Sequence, residues 1–191
     1  MSTLTVTHVT PEEYLAAERL SETRSEYLDG GVCPMTGASL THIQIVSNLT
    51  TELSLQLRGR PGRVLPIDLK IRLPESRKFF YPDVTVVSGE LQFHDDRRDI
   101  ITNPDLVIEV LSPSTEAFDR GAKFQAYRTV ESLKEYLLVE QDSPLVEQYV
   151  RNEDGKWTLT AVAGLESSLT LPSIECSLNL GAVYDKVDFN S

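Results

Sequence analysis

Two apolar segments with carboxylates written into them constrain this chain more than anything else in it. Residues 81–87 read YPDVTVV and residues 104–111 read PDLVIEVL. Each opens on a Pro-Asp pair and runs on through β-branched apolar residues, the second being interrupted by Glu109. Short Val- and Ile-rich runs bounded by turn-forming residues are strands. An ionised carboxylate on a buried strand is costly unless it is paired, hydrogen-bonded or bound to a metal. Either these strand ends are solvated, since one face of a sheet often is, or Asp83 and Glu109 have partners.

The elements around them follow from local chemistry. Thr10-Pro11-Glu12-Glu13 supplies a cap, a proline at the first helical position and early acids, which predicts a helix from Pro11 to about Leu20. Residues 25–35 form two short strands about the turn Asp29-Gly30-Gly31. Ile43, Val46, Leu49, Leu53 and Leu57 recur at steps of three and four, a helix over 41–57 ended by Gly59, Pro61 and Gly62, with His42 on the flank of its apolar stripe. Extended segments at 63–73, 79–87 and 106–111 come next. Ser112-Pro113-Ser114-Thr115 then caps a helix running to about Thr129. A further strand follows at 135–140, and strands at 145–151 and 157–162 with a short helix near Ala182 form a β-rich extension. No repeat or linker divides the 191 residues, so one domain is expected.

Charge narrows the partners. A net charge of -11 argues against a protein that coats nucleic acid non-specifically. The charge is uneven, however: Arg58, Arg60, Arg63, Lys70, Arg72, Arg77 and Lys78 face only Asp68 and Glu75 within one window. Such a strip steers a polyanion to one face or is a solvated strand edge. Cys33 and Cys176 lack His or Cys neighbours at ligand spacing and read as small packing residues. No run of about 18 apolar residues and no apolar signal-length stretch occurs, so a cytoplasmic protein without membrane association is expected.

If the second and third extended segments are neighbours, Asp83 and Glu109 converge at one end of a sheet. Two such carboxylates repel unless a proton or cation lies between them, and all-oxygen ligation suits a hard cation such as Mg²⁺. On the following helix Asp119 and Lys123 stand four apart, with Lys123 offset from the Phe118/Ala122/Ala126 face. They form either an exposed helical ion pair or a third participant in the site. Ser112 and Ser114 lie in SPST, not in a nucleophile elbow, and serve as caps.

Strand-borne Asp83, then Glu109-Val110-Leu111, then a helical Lys123 resemble the PD-(D/E)XK nuclease superfamily in a variant form. The fuller run is similar to the Uma-two family of restriction-endonuclease-like proteins. It comprises SEYLDG (25–30), GASLTHIQIVSNL (37–49), YPDVTVVSGE (81–90), NPDLVIEVLSPSTEAFDRGAKFQAY (103–127) and LKEYLLVEQDSPLVEQY (133–149). The resemblance implies an α/β fold, a restriction-endonuclease-like mixed sheet flanked by helices with the C-terminal β-rich extension appended. It also implies Mg²⁺ or Mn²⁺ held by Asp83, Glu109 and the carbonyl of Val110. The position two after Glu109 is Leu111, not the superfamily's lysine; Lys123 matches where this family carries it. Glu26 and His42 match further motif positions, as site-lining or auxiliary residues.

The implied activity is metal-dependent hydrolysis of DNA phosphodiester bonds by a homodimer, without a covalent enzyme intermediate. The metal would activate water, Lys123 would orient that water or stabilise charge, and His42 or Glu26 would assist proton transfer. A catalytically silent or regulatory binding domain that kept the fold is the competing reading. The net charge and the lack of any zinc finger, helix-turn-helix or basic tail favour it.

Overall fold

A computed structural model describes residues 8–73 and 77–189; Glu75 of the basic window lies outside them. The first helix, α1 (Pro11–Glu18), starts as its sequence demands, Thr10 and Glu13 forming a reciprocal capping box. Strands β1 (Ser25–Leu28) and β2 (Gly31–Pro34) pair antiparallel. Their two-residue turn puts Asp29 at φ 49° and Gly30 at φ 104°, the left-handed pair that a tight hairpin requires.

Helix α2 (Leu40–Gln56) is capped by Ser39, which accepts the amide of His42. It buries Ile45, Val46, Leu49 and Leu53, whereas Ile43, expected on the stripe, is half exposed. The first turn overhangs a strand end, where His42 finds a polar partner, so the apolar contact begins only at Ile45.

The next two expected strands each split into pieces belonging to different sheets. Residues 63–73 form β3 (Arg63–Pro66) and β4 (Lys70–Leu73), broken where Ile67 and Asp68 adopt φ 28° and 80°. Residues 79–87 form β5 (Lys78–Phe80) and β6 (Val84–Val87), separated by Tyr81-Pro82-Asp83. Pro82 has no amide to give a ladder, which suits it to such a crossing. The two breaks are tied together, the amide of Ile67 donating to the carbonyl of Asp83 at 3.0 Å.

With β7 (Ile100–Ile101), one sheet has the order β2-β1-β5-β4-β7. The second is built on β8 (Leu106–Val110), β9 (Glu135–Val139), β10 (Leu145–Arg151) and β11 (Trp157–Ala163) in the order β11-β10-β9-β8-β6-β3. Parallel β4/β7 and β8/β9 pairs beside antiparallel ones make both sheets mixed. A hairpin of β12 (Ser168–Leu171) and β13 (Cys176–Asn179) and a short terminal helix (Leu180–Val183) pack against α2.

Strands β6 and β8 are covered on both faces, which is why their sequences read as nearly unbroken apolar runs. Val84, Val86, Leu106 and Ile108 face α2 and the C-terminal hairpin. Val87, Val107 and Leu111 face Phe124, Tyr127, Tyr136 and residues of the first sheet such as Ile71 and Phe80.

The crossover from β8 to β9 departs from the uniform helix expected over 115–129. It comprises α3 (Glu116–Phe118), a π turn over Asp119–Lys123, and α4 (Phe124–Tyr127). Thr115 makes no side-chain cap; Ser112 instead shares its hydroxyl with those of Ser114 and Thr115, each at 3.0 Å. The wider turn rotates the helix surface. Ala122, placed on the buried face by a 3.6-residue period, is exposed, while Asp119 and Lys123 are buried.

Two other expectations need correction. The basic window is not one strip: Lys70 is buried, Lys78 pairs with Asp29, and Arg60 donates to the carbonyls of Ile174 and Glu175. Of the two free cysteines Cys176 is buried, but Cys33 is exposed on edge strand β2. Among the described residues no helix is long and apolar enough to cross a membrane.

Candidate active site

The crossing Tyr81-Pro82-Asp83 lies where the two sheets meet, and the polar groups expected at the site gather on it. One step beyond the antiparallel pair Val84–Ile108, Asp83 comes level with Glu109. Asp83 Oδ2 accepts the amide of Val110 at 2.7 Å, and Oδ1 lies 2.8 Å from His42 Nε2. The His42 and Asp83 side chains keep 14% and 18% exposure, which places this pair at the rim.

Glu109 lies deeper. Its Oε1 is 2.9 Å from Lys123 Nζ, and the same ammonium stands 3.2 Å from Glu26 Oε1 and 3.4 Å from Asp119 Oδ1. Glu26 reaches the cluster from β1 and also accepts the amide of Tyr81 at 3.1 Å, clamping the crossing segment to the first sheet. Lys123 further rests over the ring of Phe80, 5.7 Å from its centroid. The exposed ion pair considered for Asp119 and Lys123 is therefore not what forms: both are buried, and the π turn aims them at the sheet.

Charge in the cluster does not balance. Glu26, Glu109 and Asp119 are three acids around one lysine, and Asp83 adds a fourth negative charge close enough to act on Glu109. Burial pushes the Glu109 carboxyl well above the usual range; Lys123 opposes this, and Asp119, Asp83 and Glu26 add to it. Burial would depress the Lys123 ammonium, but Glu109, Glu26, Tyr127 and Asp119 more than offset it and hold the group charged. Excess buried negative charge calls for a proton or a cation.

Three buried oxygens on the helix side of the sheet have no hydrogen-bond partner: Glu109 Oε1, Thr85 Oγ1 and Tyr127 Oη. The Glu109–Lys123 contact is an ion pair without hydrogen-bond alignment, so Oε1 keeps accepting capacity. Hard oxygen donors, excess negative charge and an unfilled acceptor fit a divalent cation of the Mg²⁺ kind. No group of three or more His, Cys, Asp or Glu among the described residues is arranged to hold a metal ion, so two carboxylates would leave other positions to carbonyl and water oxygens.

All six residues named from the sequence, Glu26, His42, Asp83, Glu109, Val110 and Lys123, thus meet at one seam. Asp119 had its ion pair noticed but not its burial. Tyr81 and Tyr127 gave no signal, because nothing in a sequence period marks a tyrosine amide or an orphaned hydroxyl.

Residues 11–181 match the Uma2 family, described as "Putative restriction endonuclease". Two uncharacterized proteins of Synechocystis sp. are similar. One, sll1609, is 38% identical over 82% of this chain and 88% of its own; the other, slr1290, is 37% identical over 95% and 94%. Among solved structures, a crystal structure titled as a putative nuclease of DUF820 from Anabaena variabilis superposes with a TM-score of 0.75. It covers 92% of this chain and 97% of that one; at 18% identity the likeness is one of fold.

Proposed function

Because the chain belongs to the Uma2 family, we propose that it is a metal-dependent endonuclease that hydrolyses phosphodiester bonds of DNA at the seam holding Asp83, Glu109 and Lys123. The observation that carries this reading is the burial of Lys123 among Glu109, Glu26 and Asp119, beside an Asp83 fixed by Val110 and His42. Three carboxylates about one buried ammonium leave negative charge that the lysine alone does not neutralise.

In this reading Asp83, Glu109 and the carbonyl of Val110 would hold Mg²⁺ or Mn²⁺. When bound, such an ion lowers the pKa of a coordinated water and neutralises phosphate charge. The chain's own residues supply the rest. The amide of Val110 and His42 fix both oxygens of Asp83, so that carboxylate does not need to reorganise. Lys123 stays charged and donates toward a phosphate oxygen or the attacking water, while Glu26 and Asp119 hold its ammonium in place. His42, at the rim, reaches bulk water and is the group best placed to pass a proton outward.

The test is cleavage of plasmid DNA with Mg²⁺ or Mn²⁺ by the wild type, Asp83→Ala and Lys123→Ala. Metal-dependent nicking lost in both variants supports the proposal. Nicking that survives in both, or that does not respond to a chelator, would sink it.

A further inference from the structure

On the opposite face of the first sheet lies a second polar hollow with different chemistry. Residues alternate across that sheet: Glu26 and Phe80 face the Lys123 cluster, whereas Tyr27 and Phe79 face α1. Between α1 and this outer face two hollows of about 500 and 240 Å³ share Glu12, Leu15 and His94. Arg97 lines the larger and Arg72 and Arg77 line the smaller. Neither includes a residue of the seam.

The charges here are reversed relative to the rest of this acidic chain. Arg19, also in the wall, is neutralised by Asp95 and Asp99 at 2.6 and 2.8 Å. Arg72, Arg77 and Arg97 form no ion pair with any described carboxylate, and Glu12 is the one other acid in the walls. Arg72 is half-buried on β4, and its guanidinium meets His94 Nδ1 at 3.3 Å. For that contact to be a hydrogen bond the imidazole must accept, so it is neutral and contributes no counter-charge. A partly desolvated guanidinium with only an imidazole for company retains most of its fork of donors for an anion. Leu15 gives both hollows, and the exposed Leu20 the larger one, an apolar wall, as ligand clefts of several hundred Å³ commonly have.

We propose that this groove binds a phosphate-bearing ligand, with Arg72 and Arg77 holding phosphoryl oxygens in the smaller hollow and Arg97 meeting the part of the ligand that extends into the larger. The site is separate from the seam and does not depend on the activity proposed there. The phosphoryl group comes from a free nucleotide-like molecule or from the backbone of a nucleic acid, and the two sources are distinguished by the probe.

The experiment is calorimetric titration of the full chain, in low salt with a chelator present, against inorganic pyrophosphate and against a short deoxythymidine oligonucleotide. Saturable binding of either is expected, weakened roughly tenfold or more by Arg72→Gln and by Arg97→Gln. Arg72→Lys restores charge but not the fork, and recovers only part of the loss. Tighter binding of pyrophosphate identifies a free phosphoester; tighter binding of the oligonucleotide identifies a backbone. Arg97 is exposed, so its variant keeps the test valid if Arg72→Gln fails to fold. No saturable binding of either probe, or binding unchanged in both glutamine variants, overturns the proposal. Because the substrate proposed for the seam is also DNA, it is the loss of binding in Arg72→Gln and Arg97→Gln, and not oligonucleotide binding alone, that assigns the ligand to this groove. A seam variant such as Lys123→Ala is expected to leave pyrophosphate binding unchanged.

Discussion

His42 Nε2 and Asp83 Oδ1 stand 2.8 Å apart, joining a helix packed on one face of the six-stranded sheet to the end of a strand within it. The neighbouring Glu109 points to the other face, toward Lys123, so Asp83 lies at the rim where both faces meet. If His42 acts by holding Asp83, His42→Ala lowers DNA cleavage by about 10²-fold. His42→Gln, which keeps a donor, retains more. Equal loss in the two variants would mean that the ring itself is needed.

Removing the lysine leaves three buried carboxylates without a cation. Lys123→Met is expected to lower stability by about 3–5 kcal/mol in urea unfolding of the metal-free protein. A loss below about 1 kcal/mol would show that the cluster is far wetter than its burial implies.

Metal binding has a readout apart from cleavage. A ligand that binds only the folded state stabilises it by about 2.7 kcal/mol at a hundredfold excess over its dissociation constant. Mg²⁺ or Mn²⁺ should therefore raise the wild-type Tm, and Asp83→Asn should abolish the rise. A rise that persists in Asp83→Asn would move the metal elsewhere.

Lys70 offers a pH-dependent test away from the seam. It is buried without an ion pair among the described residues, its ammonium 4.8 Å from the ring centre of Tyr14 and 5.0 Å from that of Tyr81. Burial lowers its pKa from 10.5 to about 8, with Glu18 and Asp99 partly opposing. Because the folded state binds this proton more weakly than the unfolded one, the burden is full below about pH 8 and fades as pH rises toward 10.5. Lys70→Met should gain stability relative to wild type near pH 7, and the gain should shrink across that window. A difference independent of pH would refute the assignment.

Glu135 is fully buried and held by donors alone. Its carboxylate accepts from Gln148 Nε2 at 2.6 Å, from the amide of Ser173 at 2.9 Å, and from the Ser173 hydroxyl. Glu135→Ala strands these donors between β9 and the turn joining β12 to β13, and should cost about 2–4 kcal/mol. Circular dichroism melts would show it as a lowered Tm.

Much of this was legible because burial and chemistry leave the same marks. The β8 run is apolar except at Glu109, so the one position out of pattern marked the carboxylate that is buried beside Lys123. The capping box of α1 and the Asp29-Gly30 turn were readable because cap and turn chemistry is local. The split of 63–73 and 79–87 was not readable. Ile67 is β-branched and ordinarily extended, and its left-handed backbone is imposed by the hydrogen bond to Asp83, a contact between segments. The inward turn of Lys123 was also hidden, since a π turn breaks the period from which helix faces are inferred.

The seam also bears on the order of events in folding. Glu26 comes from one sheet, Glu109 from the other, Lys123 from the crossover, and Tyr81-Pro82-Asp83 is the stretch of chain that passes between them. Neither sheet can assemble the cluster by itself, and its buried acids disfavour closure until Lys123 arrives. In a refolding experiment, then, secondary structure should recover first and any activity last. The lag between the two would time the docking of one sheet on the other.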